Sequence, residues 1–549
     1  MNSISTSAPA SSVVPVLRLT DSRPGWLLEC LACFVLGFAW FGATAWLRPL
    51  AIPDEGRYVG VAWEMLRSGD WWVPTLDGLP FFHKPPLFYW ITAASMQVFG
   101  PSVAAARLVS VLAAAIAATG LFAFVRRWDG ASRAWASVLV LATLPLYYGG
   151  AQYANLDMLV AACISIAVLL TAHAALSREG ALPHRRALAF AFVAVGCGVL
   201  AKGLIGAVVP AIVVLAWGLA TRRLAKVFAL LLWAPGWLLC LAVAAPWFVA
   251  MQKRFPDFDH YFFIVQHLQR FTSSGFNSVQ PFWFYPLALL TLALPWSPWL
   301  LVRLLRGPGK RHQPSDVRTL MLVWLAVVTV FFSIPSSKLI GYILPALPPL
   351  AFLVADAVRF AGQRAAASGR LASHGVAIER LHGMTLLLAA TVCVSMSVAA
   401  HYFQPKSLQT LAAQMRAFRG HGEPVIFIGD YHYDVAFYAG LEAPASVVDD
   451  WSGPAVAKDS WRRELTDALH FAPAGSQRLL LPTAELDALL CRTPSSWVIG
   501  PWPAAAPTGP LATLRPVYRS GDVALWHVMR PAAGTVSAWR CDAAAVPAQ

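Results

Sequence analysis

The chain has 549 residues, 58% hydrophobic and only 13% charged, with a mean hydropathy of +0.57. That balance excludes an ordinary water-soluble globular domain and describes a polytopic α-helical membrane protein. The net charge of +14 does not point to nucleic acid, because the basic residues fall in clusters between apolar segments.

In chain order, residues 1–25 read as a cytoplasmic tail and 26–402 as a transmembrane domain. A crossing takes roughly 20 mostly apolar residues. The first, 26–47, follows Arg18 and Arg23 and reads as a retained anchor rather than a cleaved signal. Next come Asp54-Glu55-Gly56-Arg57-Tyr58 and Phe81-Phe82-His83-Lys84-Pro85-Pro86-Leu87, polar runs that a bilayer span does not require. The apolar stretch 86–99 is short, and a full crossing there would place Arg126 and Arg127 outside, so it reads as a juxtamembrane or re-entrant helix. Further spans are expected at 103–125, 132–149, 156–176, 186–201, 204–221, 227–249, 282–303, 318–335, 340–361 and 383–401. The total is odd, about eleven to thirteen.

Basic clusters at Arg126, Arg127 and Arg133, at Arg178, Arg185 and Arg186, at Arg222, Arg223 and Lys226, around Arg303 to Arg318, and around Arg359 to Arg380 mark cytoplasmic loops. Loops 48–102 and 250–281 then face outward, toward the periplasm. From about 403 to 540 the composition suits a soluble outer α/β domain, with strand candidates at 424–430, 478–482, 496–500 and 523–528 and a short helix at 434–441. Residues 541–549 read as a disordered tail. Six cysteines fall in spans and read as packing residues; Cys491 and Cys541 lie outside them, where an oxidising compartment allows a disulfide, and paired and free states both stay open.

Ionisable groups near a membrane interior are costly and stand first as candidates for chemistry. On the outer face these are Asp54, Glu55, Arg57, Tyr58, His83, Lys84, Arg107, Asp157, Lys202, His260, His267, Arg270, Lys338 and Tyr342. Each has a plainer reading. Asp54 and Asp157 can cap helices, Lys84 and Lys202 can snorkel, Arg107 and Tyr342 can anchor at the interface, and scattered histidines are more often surface or hydrogen-bonded groups than metal ligands. Lysines and arginines gathered on one face with few acids suit a phosphate-bearing lipid.

Asp54-Glu55-Gly56-Arg57-Tyr58, Lys84-Pro85-Pro86-Leu87, Leu156-Asp157-Met158, Lys202-Gly203, His267-Leu268-Gln269-Arg270-Phe271 and Lys338-Leu339 with Tyr342-Ile343-Leu344-Pro345 together resemble membrane glycosyltransferases of the GT-C fold. Among them the chain is most similar to the bacterial aminoarabinose-lipid A transferases, relatives of the protein O-mannosyltransferases. Two positions depart from that pattern: His83 replaces a common glutamate and Ile340 a common proline.

The resemblance implies an inverting transfer of a sugar, 4-amino-4-deoxy-L-arabinose or another amino sugar, from undecaprenyl phosphate to a lipid A phosphate at the periplasmic face of the inner membrane, with polymyxin resistance as the outcome. It implies Asp54, Glu55 and Asp157 as catalytic residues and Lys84, Lys202, Arg57, Arg270 and Lys338 as ligands of the donor phosphate. Tyr58, His83, His267 and Tyr342 would contact substrate. It further implies a monomer that requires no cofactor, with a divalent metal near His83 and His267 as the lesser alternative. Another glycan or protein acceptor, or a lipid-linked sugar transporter, are the competing functions; no inverted repeat favours the transporter.

Overall fold

A computed structural model describes residues 23–178, 182–269, 278–305, 315–367, 371–403, 406–458, 460–472, 476–503, 511, 514–530 and 541. The membrane part runs as helices α1 (Arg23–Gly42), α2 (Asp54–Ser68), α3 (Leu87–Phe99), α4 (Val103–Trp128), α5 (Ala131–Ala142), α6 (Pro145–Ala151), α7 (Leu156–Leu176), α8 (Leu182–Lys202), α9 (Ile205–Ala220), α10 (Leu224–Leu231), α11 (Ala234–Arg254), α12 (Phe284–Leu292), α13 (Ser297–Leu305), α14 (Asp316–Ser333), α15 (Leu347–Ala367) and α16 (Leu371–Tyr402). A π-helical segment, His260–Gln269, and a 3₁₀ segment, Ile340–Ala346, interrupt the series.

Among the described residues eight helices are long and apolar enough to cross a bilayer, and two bent pairs, α5 with α6 and α12 with α13, bring the number to 10. α3 and α9 are shorter apolar helices. Each span expected from the sequence overlaps one of these helices or pairs. The bends have local causes: α5 and α6 meet at 71° before Pro145, and α12 and α13 meet at 106° across Pro295. Proline cannot donate to the preceding turn. Pro235 likewise follows the break between α10 and α11.

The C-terminal part carries helices α17 (Gln409–Phe418), α18 (Val435–Ala439), α19 (Trp461–His470) and α20 (Leu486–Arg492). Before it, in the outer loop, β1 (Thr75–Leu76) and β2 (Leu79–Pro80) form a small hairpin. The domain's sheet is β3 (Val425–Ile428), β4 (Ser446–Asp449), β5 (Leu480–Pro482), β6 (Ser495–Pro501), β7 (Tyr518–Ser520) and β8 (Val523–Met529), in the order β5-β4-β3-β6-β8-β7. β5, β4, β3 and β6 run parallel, and β8 and β7 close one edge antiparallel. One sheet face, with Ile426, Val448, Val498 and Trp526, packs on Leu486 and Leu490 of α20. The other, with Phe427, Val447, Trp497 and Leu525, joins a continuous apolar cluster with Tyr58, Val59, Trp63, Phe88 and Tyr89 of α2 and α3. A disulfide joins Cys491 to Cys541, so the beginning of the expected tail is tethered; 542–549 lie outside the described residues.

The hairpin is a second anchor between the two parts. Its turn is Asp77-Gly78, both at positive φ (54° and 73°), the pair that a tight two-residue turn favours. A Cβ on Gly78 would stand 2.5 Å from Pro444, so a side chain there is excluded twice over. Asp77 accepts from the Ala445 amide at 2.9 Å, and Glu64 of α2 accepts from Thr75 and from the Asp77 and Gly78 amides at 2.7–2.9 Å.

Burial pushes the Glu64 carboxyl up to about 7 despite those three donors, and burial followed by the neighbouring Glu64 raises Asp77 as well. A carboxyl raised on folding stabilises the folded form below its ordinary range and loses that contribution as pH rises through the folded value. Amide exchange at Ala445 and in the hairpin, corrected for intrinsic rate, is therefore expected to quicken as pH rises from the ordinary carboxylate range to about 7. Unchanged protection across that interval would refute the linkage.

Candidate active site

α2 begins at the carboxylate pair, and consecutive residues on a helix point about 100° apart, so Asp54 and Glu55 enter different surroundings. Glu55 is fully buried. Its oxygens accept from Arg107 Nε and Nη2, each at 2.8 Å, from the Ala51 amide at 2.8 Å and the Ala154 amide at 2.7 Å, and from Arg48. Arg107, also fully buried, spends its remaining donors on the carbonyls of Ala45, Arg48 and Pro49 at 2.7–2.8 Å, and Arg48 reaches the Gln152 carbonyl at 2.8 Å. This clamp joins the end of the first span, α2, α4 and the entry to α7. The expectation of Glu55 as a catalytic group is corrected: its lone pairs are taken up inside the protein. Arg107 is likewise a buried partner rather than an interfacial anchor.

Asp54 is 35% exposed, with Arg57 Nη1 at 3.4 Å on the next turn. Burial raises its carboxyl, Arg57 opposes the shift, and Asp157, Glu464 and Lys202 all act on it at longer range. Tyr58, one residue past Arg57, is buried and senses Arg57, Asp54, Asp157 and Tyr342, so these groups share one neighbourhood.

Asp157 sits in the first turn of α7, where Asn155 caps the helix by accepting from the Asp157 amide at 2.9 Å. Its carboxylate pairs with Lys202 at the end of α8, and the Lys202 ammonium lies 4.0 Å from the centre of the Tyr342 ring. A Cβ on Gly341 would come within 2.3 Å of Asp157, so glycine is what lets the 3₁₀ segment pass. Asp157 thus holds Lys202, and the two expected site residues form one ion pair.

Lys338 also differs from expectation. Its ammonium donates to the Gln280 and Pro335 carbonyls at 2.8 and 2.5 Å and is buried, fastening the segment at Ser278–Gln280 to the loop before the 3₁₀ segment. Arg57 is in ion-pair contact, Nε to Oε2 at 3.0 Å, with Glu464 of α19. His83 stacks on Phe81 at 4.5 Å and approaches Asp467 of the same helix at 3.7 Å, while the Tyr261 hydroxyl donates to Asp467 at 3.0 Å. Lys84 follows, half-buried. His267 lies in the π-helical segment with its side chain outside the described residues, as is the whole of Arg270, and His260 is exposed. Among the described residues no three His, Cys, Asp or Glu side chains converge as metal ligands.

The arrangement is thus one partly open carboxylate, Asp54, beside a half-buried guanidinium, Arg57, with a charge-paired lysine and aspartate and tyrosines behind it. Such an arrangement suits an anionic substrate that needs orientation more than proton transfer.

The family described as dolichyl-phosphate-mannose-protein mannosyltransferase matches residues 83–249. The undecaprenyl phosphate-alpha-4-amino-4-deoxy-L-arabinose arabinosyl transferase of Aeromonas hydrophila is 36% identical over 312 residues, 56% of each chain. Its namesake in Pectobacterium carotovorum is 32% identical over 377 residues, 68% of this chain and 66% of the relative. The crystal structure of ArnT from Cupriavidus metallidurans bound to undecaprenyl phosphate superposes with a TM-score of 0.72 at 24% identity, covering 92% of this chain and 98% of that one. The chain is a GT-C-fold protein homologous to these transferases. The alignment spans 56% of the length of the Aeromonas relative, while the fold likeness to ArnT extends over nearly the whole chain. The archaeal oligosaccharyltransferase AglB from Archaeoglobus fulgidus shares the architecture more distantly, with a TM-score of 0.52 at 13% identity over 86% of this chain and 69% of that one.

Within this family fold, the residues that sequence reasoning missed are Arg48, Tyr261, Tyr433, Glu464 and Asp467. Arg48 carried a signal, as a cation ending an apolar span seven residues before Glu55. The other four are ordinary in their local sequence and gain meaning only from the docking of the C-terminal domain.

Proposed function

We propose that the protein transfers 4-amino-4-deoxy-L-arabinose from undecaprenyl phosphate to a phosphate of lipid A at the periplasmic face of the bacterial inner membrane. The observation that carries this is Asp54, a partly open carboxylate 3.4 Å from Arg57 at the start of α2, within a fold homologous to the aminoarabinose transferases. An ionised oxygen of the acceptor phosphate attacks the anomeric carbon as the bond from that carbon to the lipid phosphate oxygen breaks. Inversion follows, and undecaprenyl phosphate leaves with the electron pair. Arg57 and Lys84, together with Arg270, meet the charge that develops on the leaving phosphate. The attacking phosphate is already ionised near neutral pH, so Asp54 orients it or the sugar amine rather than acting as a strong base.

In this reading the site needs no cofactor. The Asp157–Lys202 pair and Tyr342 form its inner wall, with Tyr58 beside them, and His83 borders the donor. In the same reading the protein works as a monomer, and the basic loops support a cytoplasmic N-terminus and a periplasmic C-terminal domain.

Purified protein in lipid nanodiscs, given undecaprenyl-phosphate aminoarabinose and lipid A, is expected to yield lipid A heavier by one aminoarabinose on mass spectrometry. Unmodified lipid A alongside transfer to a different glycan or peptide would replace the acceptor in this reading. No transfer from any polyprenyl-phosphate sugar would sink it.

A further inference from the structure

Helix α19 belongs to the C-terminal domain, yet both of its carboxylates reach the outer loops of the membrane part. Glu464 Oε2 lies 3.0 Å from Arg57 Nε and accepts from the Tyr433 hydroxyl at 2.6 Å. One turn later, Asp467 accepts from the Tyr261 hydroxyl at 3.0 Å and stands 3.7 Å from His83 Nε2. A spacing of three puts both acids on one face of the helix. Leu465 and Ala468 lock that helix by burying in the apolar cluster shared with α2 and α3. The Glu464 side chain is only 9% exposed, so its charge is poorly screened where it meets Arg57.

Arg57 is thereby held on several sides. Its Nε faces Glu464, its Nη1 faces Asp54 at 3.4 Å, and its guanidinium lies 5.1 Å from the Tyr433 ring centre. A carboxylate so close also takes up part of the positive charge, which weakens an anion site as such. What it supplies is a fixed fork direction, the property that makes arginine a geometric rather than a point-charge ligand.

We propose that Glu464 is a positioning residue for the donor site: α19 reaches over from the C-terminal domain and fixes the Arg57 guanidinium for the phosphate of the lipid-linked donor. This rests on the reading of Arg57 as a donor-phosphate ligand. The C-terminal domain is then a working part of the site, although every residue that contacts the donor belongs to the membrane part.

The test uses the full chain in nanodiscs, with undecaprenyl phosphate binding and donor KM measured for wild type, Glu464→Gln, Glu464→Asp, Arg57→Gln and the double variant Arg57→Gln/Glu464→Gln. Glu464→Gln is expected to raise donor KM about tenfold while kcat and the unfolding temperature hold nearly constant, and Glu464→Asp to recover part of that loss. In the Arg57→Gln background the Glu464 change is expected to add nothing, the non-additivity of two groups acting as one. Additive losses, or a wild-type KM in Glu464→Gln, would overturn the inference while leaving the function intact. A wild-type protein that binds no undecaprenyl phosphate would overturn both.

Discussion

Replacing Glu55 by glutamine is expected to destabilise the protein by about 3–5 kcal/mol, the cost of stranding buried charge. Two guanidiniums, Arg107 and Arg48, converge on this one carboxylate, and Arg107 is itself fully buried. Glutamine keeps the volume and one acceptor oxygen, but it turns an amide donor toward groups that are all donors and removes the only negative charge in the clamp. Burial alone would raise the Glu55 carboxyl, yet Arg107 and Arg48 outweigh it and hold the group down at about 2. A carboxyl lowered on folding adds stability that is complete above its ordinary range and is lost progressively as pH falls from there to the folded value of about 2. Thermal unfolding of Glu55→Gln in detergent at pH 7 measures the effect. A midpoint equal to that of wild type would mean that the arginines find compensation elsewhere.

Asp54→Asn is expected to act in the opposite manner, with little change in unfolding and a loss of transfer rate of 10² or more, about the size of one well-placed orienting or acid–base group. Asp54 is the partly open member of the pair, so its replacement strands no buried charge. Burial raises its carboxyl while Arg57 resists. If the ionised form is the working one, the wild-type rate falls on acidification at a higher pH than an ordinary carboxylate would give, and Asp54→Asn loses that acid limb. Steady-state transfer rates across pH 4–8 provide the check, and an asparagine variant with wild-type activity would remove Asp54 from the mechanism. Two adjacent acids of the same motif are thus expected to fail in different assays.

The membrane helices were readable because each needs a long apolar run; their breaks beside Pro145, Pro235 and Pro295 were not read, and the expected spans 132–149, 227–249 and 282–303 ran straight through them. The short helix α3 was readable from the charge asymmetry of the loops. Strands β3, β5, β6 and β8 showed as apolar runs, whereas β4, Ser-Val-Val-Asp, and β7, Tyr-Arg-Ser, are too short and polar to stand out and are specified by their sheet neighbours.

For the candidate site, sequence pointed to the stretch around Asp54 and Glu55 but not to the different surroundings of the two acids. Nothing local distinguishes Asp54 from Glu55. The distinction comes from Arg107, 52 residues away, and from the direction in which α2 turns each side chain. Asp157 and Lys202 looked like separate functional groups because their pairing spans 45 residues. Glu464 and Asp467 sit in an amphipathic helix of an apparently separate domain, where acids on the polar face are unremarkable until that face meets Arg57 and His83.

The apolar cluster that runs from α2 and α3 into one face of the sheet bears on how the chain acquires its structure. The outer loop that carries the candidate site emerges early in synthesis, but the surface it rests on is encoded more than 300 residues later. Until the C-terminal part folds, Trp63 lacks the Phe437 ring and Arg57 lacks Glu464. The composition boundary near residue 403 therefore separates two solvents rather than two folding units, and the early motif takes its final form only when the last strands close the sheet.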